Sequence, residues 1–133
     1  MGYRSHVVAL IYPEADSKLE DQARYDQLKV LMATTFKDTI DGTHVADGFA
    51  GCMQWYDDER VLKFDLPDVK WYDSYPDVIR FHAMLGQFES SDIPGYCTEF
   101  VRIGEDSDDV VAERSGENNQ YYLNVRRSID CNV

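Results

Sequence analysis

A run of apolar and β-branched residues at positions 6–12 (HVVALIY) constrains the fold of this 133-residue chain more than any other feature. A strand with one wet face alternates apolar and polar side chains. A continuous apolar run reads as a central strand covered on both faces. Pro13 follows and stops it, because proline cannot donate to a sheet ladder.

The other elements arrange themselves around that strand. Ser17 with Glu20 three residues on is a capping-box signature. Leu19, Ala23, Leu28, Leu31, Met32 and Phe36 behind it predict a helix over 17–36. Residues 38–48 are polar and read as a loop. Residues 49–56 and 60–66 flank Asp57-Asp58-Glu59 and predict a β-hairpin. In its second arm Leu62, Phe64 and Leu66 alternate with Lys63 and Asp65, so one face is expected to be buried, and Pro67 to end the strand. Ser74, Pro76 and Asp77 mark a second helix start. Val78, Phe81, His82, Leu85 and Phe88 carry that helix over 75–88. Pro94-Gly95 is a break. Residues 96–103 and 121–129 read as strands, and 110–114 as a further short strand turned by 115–119.

The order β-α-β-β-α-β, extended by β, predicts one α+β domain over residues 1–133. Two helices cover one face of a mostly antiparallel sheet in a ferredoxin-like arrangement. The helix-free face is expected to meet solvent or a partner. The expected core includes Val8, Leu10, Leu28, Leu31, Leu62, Phe64, Phe81, Leu85, Leu123 and Val125.

Charge narrows the function classes. Twenty-five acidic residues stand against 13 basic ones, a formal net charge of -12. With 44% apolar and 13% aromatic residues, this acidity does not signal disorder. It spreads over both halves of the chain. Such a surface attracts basic surfaces and repels phosphate backbones, which disfavours direct nucleic-acid binding. Arg102, Arg126 and Arg127 do not make a coherent phosphate patch, since alternation puts the last two on opposite faces. No apolar stretch is long enough for a membrane span or a secretory leader. Cys52, Cys97 and Cys131 are odd in number and widely spaced, which predicts reduced thiols in a cytoplasm.

No motif for a nucleophile elbow, a phosphate loop, a dinucleotide site or a zinc protease occurs, so no catalytic residue, metal ligand or cofactor is assigned. The histidines His6, His44 and His82 lack ligand spacing. The acidic groups Asp57, Asp58, Glu59 and Glu105, Asp106, Asp108, Asp109 fall in expected turns. Trp71, Tyr72 and Tyr75 lie among Asp65, Asp68, Asp73 and Asp77. Exposed aromatics ringed by charge are typical of protein interfaces, so these ten acidic and aromatic turn residues are the expected partner-binding set.

The opening Met1-Gly2-Tyr3-Arg4-Ser5, the stretch Lys70-Trp71-Tyr72-Asp73-Ser74-Tyr75-Pro76-Asp77-Val78, and Ile103-Gly104-Glu105-Asp106 with Asp108-Asp109-Val110 resemble small proteins of tailed-phage genomes. The resemblance implies a phage or prophage origin and a working place in bacterial cytoplasm. It carries no catalytic residue across. The expectation is a non-enzymatic acidic protein that binds and inhibits a basic, nucleic-acid-binding site on a host protein, in anti-defence or host takeover. The alternative is a small metal-assisted hydrolase or ligand-binding domain for a phosphorylated small molecule, using Asp73 and the 105–109 carboxylates.

Overall fold

A computed structural model describes residues 3–14, 18–37, 52–90, 92–106, 108–117, 119–125 and 129–131. The elements run β1 (Ser5–Pro13), α1 (Lys18–Ala33), β2 (Met53–Tyr56), β3 (Val61–Val69), α2 (Pro76–Glu89), β4 (Tyr96–Ile103), β5 (Val110–Ser115), β6 (Leu123–Val125) and β7 (Ile129–Cys131). The first five strands form one sheet in the order β2-β3-β1-β4-β5, and every neighbouring pair is antiparallel. The fold is therefore α+β and ferredoxin-like, as expected. The helical connection β1-α1-β2 leaves a gap that β3 fills, and β3-α2-β4 leaves a gap that β1 fills.

The apolar run becomes the middle strand, and it has two dry faces. Val7, Ala9 and Ile11 point to the helices, where they meet Leu28 and Met32 from α1, Phe36 just beyond its end, and Val78, Phe81, Leu85 and Phe88 from α2. Val8, Leu10 and Tyr12 point the other way, into a second cluster with Val61, Cys97, Val101 and Leu123. Leu123 belongs to β6, and partly buried Val125, Ile129 and Cys131 of the β6–β7 hairpin pack against the same cluster. The helix-free face is thus closed at this end by the chain's own C-terminal hairpin, rather than left wholly to solvent or a partner.

Four local readings are corrected. Residues 121–129 are not one strand: β6 and β7 pair as Leu123↔Cys131 and Val125↔Ile129. β3 does not stop at Pro67 but runs to Val69. The ladder with β1 slips between Ser5 and Val7, and the irregularity opposite them accommodates a residue that has no N–H to give. Leu19 is 83% exposed, and Tyr25, which the helical spacing omitted, is buried in its place. The capping residue of α2 is Tyr75, with Pro76 in the first turn and no side-chain cap. Asp77 is instead fully buried and accepts from Arg80. Ser17 and the loop expected at 38–48 lie outside the described residues. Leu31 and Val125 of the expected core are only half-buried, and the other eight are buried.

Candidate functional site

The expected binding residues fall into two groups at opposite ends of the central strand. The β2–β3 turn carries Asp57, Asp58 and Glu59 and leads into Val61, next to Leu62, which pairs with Ile11 near the end of β1. The β4–β5 turn carries Glu105, Asp106, Asp108 and Asp109 and follows Ile103, which pairs with His6 near the start of β1. The nine residues of β1 separate these turns. At the usual strand rise that is about 26 Å.

The β4–β5 end is tied down by the N-terminal arm. The Tyr3 hydroxyl donates to Asp109 at 2.7 Å and accepts from the Asp106 amide at 2.9 Å. The Tyr3 amide donates to the Tyr72 hydroxyl, and the Arg4 amide to Glu105. Gly104 lies under this arm, where a Cβ would collide with Tyr3 and Asp109. Arg102 grips Asp109 with two nitrogens at 3.0 and 2.9 Å. Those hydrogen bonds, with the one from Tyr3, hold the Asp109 carboxyl below its ordinary range. Asp109 is thus an internal brace. Glu105, Asp106 and Asp108 remain exposed.

Trp71 is not a surface anchor. It is 6% exposed and packs its ring edge-on against Phe81 at 5.5 Å, with Phe100 beside it. Tyr72 and Tyr75 are half-buried and stack edge to face at 5.1 Å. They share this end of the sheet with the 105–109 turn and lie far from Asp57.

At the other end Asp57 is also occupied. Tyr25 donates to it at 2.7 Å and Lys29 at 3.1 Å, and these bonds lower its pKa. Tyr25 and Lys29 are four residues apart on one face of α1, so the pair ties the hairpin turn to the helix. Asp58 and Glu59 stay exposed, with no ion-pair partner among the described residues. The turn closes through Arg60 in the left-handed region, at φ 59°.

Sequence reasoning missed the buried carboxylate Glu99. It is fully buried on β4 and accepts from the Tyr12 hydroxyl at 2.8 Å and from the Tyr122 and Leu123 amides at 3.1 and 3.0 Å. Arg114 lies 3.6 Å from it and donates to the Leu123 carbonyl. The signal was available: an acidic residue inside an apolar strand must find partners.

Among the described residues, no three His, Cys, Asp or Glu side chains cluster as metal ligands. Asp73 and the 105–109 carboxylates do not converge on such a centre. No helix among them is long and apolar enough to cross a membrane. Comparison with protein-family models, curated proteins and solved structures finds no match.

Proposed function

We propose that this protein acts by binding a basic surface on another protein, with no turnover of its own. One observation carries the reading. Six of the chain's 13 cations are engaged within its own surface, and the net charge of -12 leaves an excess of carboxylates. Lys29 pairs with Asp57, Lys63 with Asp65, Arg80 with Asp77, Arg102 with Asp109 and Arg114 with Glu99. Arg24 is turned to the carbonyls of Glu14 and Gly95. What remains at the exposed turns is Asp58, Glu59, Glu105, Asp106 and Asp108. Such a field accelerates association with a basic partner and suppresses other encounters.

The resemblance of the opening residues and of segment 70–78 to small tailed-phage proteins favours a partner among bacterial host proteins. A nucleic-acid-binding groove is a large basic surface of this kind, and occupying it would inhibit its owner.

The test is affinity capture from bacterial lysate, followed by association kinetics with the purified captured protein over a range of salt. The expected partner is rich in Lys and Arg at the contact, and the association rate falls as salt rises. Salt-independent capture, or turnover of a nucleotide or ester by the purified chain, would overturn the reading.

A further inference from the structure

A hollow of about 210 Å³ opens at the β2–β3 end of the molecule. Its walls come from four places: Tyr12 at the end of β1, Asp21 in the first turn of α1, Glu59 and Arg60 in the hairpin turn, and Gln120 and Tyr122 before β6. It is smaller than the pockets that hold drug-sized ligands, and of a scale for one side chain.

Its chemistry is that of a receptor for a cation. Half-buried Asp21 and exposed Glu59 both line it, and among the described residues Asp21 Oδ1 has no hydrogen-bond donor. A buried carboxylate oxygen without a donor is costly, and a charged N–H group is its best complement. The one cation in the wall, Arg60, directs its Nε to Gln22 at 3.1 Å and forms no ion pair with either carboxylate. Tyr12 and Tyr122 meet edge to face at 5.3 Å and supply aromatic walls. Burial, and then the charges of Glu99, Glu59 and Asp21, raise the Tyr122 pKa. Three carboxylates therefore bear on one phenol.

We infer that this hollow receives a guanidinium side chain, an arginine of the basic partner, between Asp21, Glu59 and the two tyrosines. The inference rests on the proposed binding function and deepens it by naming the group that is recognised. Arginine suits the walls better than lysine. Its planar fork can engage two carboxylates, and its flat face stacks on tyrosine.

The test uses the ¹⁵N-labelled full chain and two small probes, N-acetyl-arginine methylamide and its neutral isostere N-acetyl-citrulline methylamide. The arginine probe is expected to shift the amide signals of Asp21, Gln120 and Tyr122 saturably, and the citrulline probe to leave them unmoved. Asp21→Asn should weaken the arginine probe about tenfold. Should that variant fail to fold, Glu59→Gln in the exposed turn serves instead. Equal response to both probes, no saturable shift, or binding unchanged in the folded variant would each overturn the inference. The two readings also fail separately. Arginine binding in the hollow, with no protein captured from lysate, removes the proposed function alone. A captured basic partner indifferent to both variants removes the hollow alone.

Discussion

The Tyr12 hydroxyl donates to the Glu99 carboxylate at 2.8 Å, and this bond ties the central strand to the β4 carboxylate that holds the C-terminal hairpin. The same carboxylate accepts the Tyr122 and Leu123 amides, so Glu99 does for the hairpin what a ladder strand would otherwise do. The Tyr12 hydroxyl in turn accepts from the Gln120 amide at 2.8 Å. Removing Glu99 strands two amides and the Arg114 guanidinium together. Glu99→Ala should cost about 3–5 kcal/mol, the range for breaking a buried ion pair. Tyr12→Phe, which removes the donor to Glu99 and the acceptor of the Gln120 amide and leaves the ring, should cost about 1–3 kcal/mol. Urea unfolding of both variants checks the order. Equal losses would show that the hydroxyl, not the carboxylate, holds the hairpin.

Trp71 gives a second prediction. Its ring lies between α2 and β4 against Phe81, His82 and Phe100. Trp71→Ala should therefore lower stability by about 3–5 kcal/mol, the usual cost of a large core truncation. Tyr75→Ala, at a half-buried position, should cost less. If Trp71→Ala keeps the wild-type denaturation midpoint, the ring is not a core element.

These positions also show what a sequence of this kind discloses. The run at 6–12 announces a strand dry on both faces, and β1 has that character because helices cover one side and the hairpin the other. The 121–131 hairpin is hidden from period-2 reading. Three residues separate β6 from β7, so Leu123, Val125, Ile129 and Cys131 keep the same parity through the reversal. No Gly or Pro stands at 126–128 to mark it. Trp71 follows Lys70 and sits among aspartates, which reads locally as surface. Its burial comes from Phe100, 29 positions away and brought near only by the sheet order. Charge density was plain in the sequence. Its division between two ends of β1, and the loss of Asp57 and Asp109 to internal bonds, required the topology.

His82 sets a pH window. It lies on α2 beside Trp71, Phe81 and Phe100, with Glu113, Asp73 and Arg102 acting on it. Burial lowers its pKa below the ordinary 6.5, opposed by the two carboxylates and assisted by Arg102. The unfolded chain then takes up the proton first as pH falls. Stability should decline as pH drops below about 6.5 and level off once the folded imidazole is also protonated. Asp57 and Asp109 act elsewhere: their lowered pKa values make their contributions present above the ordinary 3.8 and lost as pH falls below it. Melting temperatures from pH 7.5 to 5 should slope for the wild-type chain and flatten in His82→Gln. Parallel slopes would remove His82 as the cause.

The separation of the two acidic turns yields the last prediction. The two turns lie about 26 Å apart along β1, and the hollow puts the closest contact at the end that carries Glu59. Glu59 lines that hollow and Asp58 precedes it in the same turn, whereas Glu105, Asp106 and Asp108 act on the partner only through the long-range field. Changing Asp58 and Glu59 together to Lys should slow association with the captured basic protein by about tenfold or more at low salt, and should raise the dissociation rate as well. Changing Asp106 and Asp108 to Lys adds the same charge to the chain. It should slow association less and leave dissociation near wild type, because net charge alone is screened over about 8 Å at physiological ionic strength. Tyr75→Ala, at the far end, should leave both rates unchanged. Surface-based kinetics on the three folded variants distinguish the cases. Equal effects from the two double substitutions would mean that only net charge matters, and a larger effect at Asp106 and Asp108 would move the interface to the Tyr72–Tyr75 end of the sheet.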